Sequence, residues 1–126
     1  MQWNPNNNPD VPTRTGKGKN TTQHIETRLL FGRSIPDGGT VTDYSVRAFL
    51  DSYICSRFPL GFTYTESRGC WKGGQEESFS VSVVYPDTVE ARRDYGIRLE
   101  EIRAEYVRLF RQDSVLRIDG LVSVSF

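Results

Sequence analysis

Apolar side chains recur every second residue along some stretches of this chain and every third or fourth residue along others, and the order in which the two periods interleave limits the folds open to it. From His24 to Phe31, Ile25, Thr27, Leu29 and Phe31 fall on one face and Glu26, Arg28 and Leu30 on the other, which is the pattern of a strand. Phe62 to Arg68 alternates in the same way, with Phe62, Tyr64 and Glu66 set against Thr63, Thr65 and Ser67. Phe79, Val81, Val83 and Tyr85 then alternate with serines and Val84 until Pro86 stops the run. The second and third stretches read as a hairpin with Gly73 and Gly74 in a long loop. Val115 to Ile118 is the last strand, and Leu121 to Phe126 continues it or pairs beside it.

Two helical patterns lie between these strands. Ser34 to Gly39 is a loop, punctuated by Pro36 and two glycines. Thr42 follows as a helix N-cap, with Asp43 at the positive end of the dipole and Val41 and Val46 placed to close a hydrophobic staple. Val46, Phe49, Leu50, Tyr53 and Ile54 form the buried stripe, and the helix ends before Pro59. Asp87 with Glu90 fits a capping box for a second helix, whose stripe is Ala91, Tyr95, Leu99, Ile102, Tyr106 and Leu109. Gln112 and Asp113 close it. The order β-α-β-β-α-β makes this an α+β chain of ferredoxin-like type: a four-stranded antiparallel sheet with two helices on one face. The other face, carrying Leu30, Val84 and several Ser and Thr side chains, has nothing in the chain to cover it, so it is a ligand surface or an oligomer interface.

Composition narrows the function classes. The 126 residues suit a single domain. Residues 1–23, rich in Asn, Pro, Gly and Thr, read as a flexible arm whose apolar anchors are Trp3 and Val11; an arm docked on a neighbouring subunit through Trp3 is the other reading. Residues 24–126 form the folded domain. Sixteen basic and sixteen acidic residues give no net charge, against the basic excess expected of a nucleic-acid binder. No apolar run is long enough for a membrane span and no signal-peptide pattern opens the chain, so a cytoplasmic location is expected. Cys55 and Cys70 are expected to be free thiols, Cys55 in a helix core.

Phosphate-cradling, nucleotide-binding and nucleophile-elbow motifs are absent from the sequence. With His24 the only histidine and no zinc spacing in the cysteines, no metal site is expected. What remains is a polar cluster at the hairpin: Glu66, Arg68, Trp71, Lys72, Gln75, Glu76, Glu77 and Ser78. It is either a solvated rim or a place where one glutamate, near Trp71 or Tyr64, holds a cationic ligand by Coulomb attraction and cation–π contact. Glu76 and Glu77 are adjacent on a strand, so they point to opposite faces.

The stretch FGRSIPDGG…RFPLGFT…GCW…EES…YPD…IRAEY…F…QDSVLRIDGLVSVSF resembles a bacterial family known as a domain of unknown function. A second resemblance, at Gly69-Cys70-Trp71, Glu76-Glu77 and Gln112-Asp113-Ser114-Val115-Leu116, is to the S-adenosylmethionine lyases of bacteriophages, formerly called hydrolases. Those enzymes have Tyr where this chain has Trp71. The resemblance implies ferredoxin-like trimers similar to PII signalling proteins, with sites between subunits and no cofactor. It implies S-adenosylmethionine as substrate and, for a phage protein, the host cytoplasm as location. Glu77 or Glu76 would hold the substrate ammonium, Trp71 or Tyr64 would face adenine or the sulfonium, Glu66 would line the site, and Gln112 would bond a polar edge. The alternatives are a non-catalytic PII-like ligand-binding module and a protein-interaction module acting through the open sheet face.

Overall fold

The computed structural model describes residues 21–71 and 73–126, with the Thr21 and Trp71 side chains outside that description. Strands β1 (Thr21–Gly32), β2 (Thr63–Trp71), β3 (Gly74–Pro86) and β4 (Leu116–Ser125) pair in the order β2-β3-β1-β4, all antiparallel. Helix α1 (Asp43–Phe49), continued by a π-helical turn (Leu50–Ile54), joins β1 to β2, and α2 (Val89–Phe110) joins β3 to β4. This is the ferredoxin-like order expected from the sequence.

Register divides the sheet into two faces. Ile25 lies opposite Tyr85, Thr27 opposite Val83, Leu29 opposite Val81 and Phe31 opposite Phe79, and all eight are buried. Both helices pack here through one aromatic cluster. The Phe31 and Phe79 rings stack at 4.6 Å, Tyr106 of α2 meets Phe31 edge-on at 4.8 Å, and Phe49 of α1 meets Tyr106 at 5.4 Å. Such ring pairs contribute roughly 0.5–1.5 kcal/mol each beyond their buried area. On the opposite face, Val84, Leu116 and Ile118 are exposed, and Leu30 is half-buried.

Several local expectations are corrected. β1 begins at Thr21, so the end of the expected arm, residues 21–23, belongs to the sheet; residues 1–20 lie outside the described residues. The β2–β3 loop is short: Trp71 pairs directly with Gly74, and Gly73 turns at φ 78. Glycine supplies the positive φ that such a turn needs, and this keeps the polar cluster on paired strands. The cap of α2 is Thr88, whose hydroxyl accepts from the Ala91 N–H at 3.1 Å, whereas Asp87 takes Arg92. The Asp87 N–H donates to the Gln23 carbonyl, holding that residue at the end of the β1–β3 ladder rather than at the helix start. Leu109 is exposed because Phe110, one helical step of 100° away, takes the inward place against Phe49 and Tyr106. Cys55 is exposed and free: it closes the π turn, its N–H donating to the Leu50 carbonyl, while Ile54 points inward.

Gly96 sits inside α2 with open space where a Cβ would stand. Gly96→Ala is therefore expected to stabilise the chain by about 1 kcal/mol, raising Tm by roughly 3–5 °C in a thermal denaturation. A lower Tm would show that something outside the chain packs against that point of α2.

Candidate functional site

The end of β1 is where the sequence brings its chemistry together. Gly32 lies opposite Ser78, and beyond it the β2–β3 hairpin projects past β1, carrying Glu76 and Glu77. Their side chains leave on opposite faces, as adjacent strand residues must.

On the helix face, Arg33 continues the inward alternation of β1 and is buried. Its Nε donates to the Val41 carbonyl at 2.9 Å and its Nη2 to Asp43 at 2.7 Å; its Nη1 lies 3.9 Å from Glu77. Burial works against its charge, but the hydrogen bond it donates to Asp43 and the charges of Asp43 and Glu77 outweigh it, and its pKa is raised. Arg68, on the neighbouring strand, lies 3.6 Å from the same Glu77 carboxylate. Tyr64 and Glu66 stand on this face too, Tyr64 against Phe79 with its hydroxyl donating to Glu66 at 2.8 Å. Burial, together with the Glu66 hydrogen bond and charge, pushes the Tyr64 phenol up to about 12. Arg33, Asp43, Glu66, Arg68 and Glu77 thus line a cavity of about 430 Å³ in which the two arginines pair with Asp43 and Glu77 while Glu66 accepts from Tyr64.

On the open face the arrangement differs. Glu76 is half-buried and makes no ion pair or hydrogen bond among the described residues, and its Oε1 comes within 2.6 Å of where a Cβ on Gly32 would stand. Gln112 reaches the same point from the end of α2, its Oε1 3.4 Å away. Arg111, with φ 52, turns the chain there out of the helix. The Gln112 amide nitrogen donates to the carbonyls of Ser34 at 2.9 Å and Phe110 at 3.2 Å, while its oxygen has no hydrogen bond among the described residues. Beneath them the buried Tyr106 hydroxyl donates to the Gly32 carbonyl at 2.6 Å. Burial raises the Tyr106 pKa, Arg33 opposing the shift and Glu76 adding to it. Gly32, Gly69, Cys70, Glu76 and Ser78 line a cavity of about 200 Å³.

The six residues singled out in the sequence therefore separate. Glu76 and Gln112 meet over Gly32; Glu77, Glu66 and Tyr64 gather around Arg33 on the other side of the sheet. Trp71 lies on β2 with its side chain outside the described residues. Sequence reading missed Arg33, although a signal was present: it falls on the inward parity of Ile25, Thr27, Leu29 and Phe31, where a guanidinium demands partners. It also missed Gly32 and Asp43 as parts of the site.

The strand order and the two helices on one sheet face define a ferredoxin-like α+β domain. Residues 26–126 match the model of a family described as a protein of unknown function, DUF3574, and the chain belongs to that family. No curated protein matches it. Among solved structures it is similar to a phage SAM lyase in complex with S-methyl-5'-thioadenosine, at 17% identity and TM-score 0.57 over 92% of this chain and 96% of that one. The same coverages hold for a phage SAM lyase in the apo state, at 19% identity and TM-score 0.53. A nitrogen regulatory PII-like protein from Thiomonas intermedia K12, CPII, bound to ADP, AMP and bicarbonate, is similar at 10% identity and TM-score 0.50, over 84% of this chain and 97% of that one. At these identities the likeness is one of fold. No helix among the described residues is long and apolar enough to cross a membrane.

Removing the guanidinium of Arg33 takes the partner from the Val41 carbonyl and unties the β1–α1 loop from Asp43 and Glu77. Arg33→Met is expected to lower stability by about 2 kcal/mol in urea denaturation, since the carboxylates it leaves behind are solvated. An unchanged midpoint would show that the backbone bridge between Ser34 and Thr40 holds the loop alone.

Proposed function

We propose that the chain is a phage-type S-adenosylmethionine lyase, acting as a trimer in the host cytoplasm and releasing methylthioadenosine and homoserine lactone. The observation that carries this reading is convergence. Gly69 and Cys70, Glu76, and Gln112, which belong to the three motifs shared with those enzymes and are far apart in the chain, meet around Gly32. The fold they share with phage SAM lyases supports the reading.

The chemistry asks little of the protein. The substrate carboxylate attacks its own γ-carbon; a C–O bond forms, the C–S bond breaks, and its electron pair neutralises the sulfonium. Nucleophile and leaving group both belong to the substrate, so no general base is needed. The site must fold the methionine tail into attack geometry and keep water away. Glu76, which has no ion pair or hydrogen bond among the described residues, holds the substrate ammonium. Glu77 pairs with Arg33 and Arg68 on the other face of the sheet and takes no part in holding the substrate. With the Tyr64 hydroxyl committed to Glu66, the adenine or sulfonium wall falls to Trp71. A cavity of about 200 Å³ is smaller than the usual range for a ligand of this size, so a neighbouring subunit completes it. The open sheet face, with Leu30, Val84, Leu116 and Ile118, is the surface that the trimer buries.

The departure at Trp71 favours a second reading, a PII-like module that binds the same ligand without turning it over. One experiment separates the two. Purified protein incubated with S-adenosylmethionine is expected to yield methylthioadenosine and homoserine lactone by chromatography, with loss of product in Glu76→Gln and retention of most of it in Glu77→Gln. A blank chromatogram with a ligand-induced thermal shift gives the binding module; a blank chromatogram without one removes both.

A further inference from the structure

Gly32 ends a strand in an ordinary conformation: among the described residues the positive-φ glycines are Gly38, Gly39, Gly61 and Gly73, so its backbone does not require glycine. What its missing side chain provides is room. A Cβ there would lie 2.6 Å from Glu76 Oε1, closer than real contacts allow, and 3.4 Å from Gln112 Oε1. The Gly32 backbone is itself pinned by the Tyr106 hydroxyl on its carbonyl. Two oxygens therefore lie beside the unfilled Cβ position of Gly32, one of a carboxylate that has no ion pair or hydrogen bond among the described residues, the other of an amide whose nitrogen is already spent on Ser34 and Phe110. Both are acceptors. Neither can donate while Glu76 is ionised, and the carboxylate brings a negative charge. An anionic or purely accepting group is repelled from such a place. A protonated amine, with several N–H donors and a positive charge, satisfies both oxygens at once.

We propose that Gly32, Glu76 and Gln112 form a subsite for a primary ammonium group, with Gly32 as the residue that positions the Glu76 carboxylate. The proposal rests on the lyase reading for the identity of the whole ligand and sharpens it: recognition of the amine is built on space at Gly32, not on Glu76 alone. Because the atom in the way is the far end of a flexible side chain, a Cβ at Gly32 displaces the carboxylate without disrupting the fold.

The test compares wild type, Gly32→Ala and Glu76→Gln. Gly32→Ala is expected to keep its Tm within about 3 °C of wild type, while KM for S-adenosylmethionine rises about tenfold or more and kcat changes less. The S-adenosylmethionine analogue lacking the α-amine should show that raised KM already in wild type, with no further rise in Gly32→Ala. An unchanged KM in Gly32→Ala, or equal KM values for substrate and deamino analogue in wild type, overturns the proposal. If wild type yields no product, the lyase reading falls, and the subsite is tested by calorimetry with homoserine lactone against γ-butyrolactone, the same ring without the amine. Binding of the amine alone, lost in both variants, supports the subsite. Equal binding of the two lactones, binding that survives Gly32→Ala, or no binding at all overturns it.

Discussion

The hydrogen bond from the Tyr106 hydroxyl to the Gly32 carbonyl is the joint on which the two halves of this molecule depend. On one side of it lies the aromatic cluster of Phe31, Phe79, Phe49 and Tyr106, which fastens both helices to the sheet. On the other side, the chain leaves β1 and every polar group of interest is set within a few residues. A buried phenol has to find an acceptor, and the unpaired carbonyl at a strand end needs a donor. Their union fixes the height of Gly32 relative to α2, and with it the distance from Gln112 at the helix end to Glu76 on the hairpin.

Adjacent residues then divide the electrostatics. Arg33 turns inward and draws Asp43 and Glu77 to the helix face, where cations and anions compensate. Gly32 faces outward and leaves Glu76 without a protein cation among the described residues. A single residue step along β1 thus separates a self-satisfied ionic cluster, which positions the loop and α1, from an unsatisfied carboxylate, which has something left to offer a ligand. The same parity puts Glu77 and Glu76 on opposite faces of β3, so one glutamate closes the structural cluster and the other faces the cavity.

Period alone made the architecture legible. Alternation through Ile25, Thr27, Leu29 and Phe31, and the helical stripe through Leu99, Ile102 and Tyr106, named most of the core and both packing faces. It failed where local geometry broke the period. The π turn at Leu50–Ile54 and the place of Phe110 relieved Cys55 and Leu109 of the core, and the turn at Gly73 replaced a long loop by a tight one. The site was half legible. That the two glutamates diverge follows from strand parity. That Gln112 returns to Glu76 depends on the register of Gly32 against Ser78 and on the left-handed turn at Arg111, and neither leaves a mark in composition or spacing. Arg33 was readable as a charge at an inward position.

A crystal structure of the protein soaked with S-adenosylmethionine or its products bears most directly on the claim that the point above Gly32 is where the ligand cation is held. The account predicts an ammonium nitrogen within hydrogen-bond distance of Glu76 Oε1 and Gln112 Oε1, with a second copy of the chain closing the cavity over it. Density for the ligand in the separate cavity between β4 and α2, lined by Tyr85, Arg92, Arg117 and Asp119, with Glu76 left untouched, would contradict it.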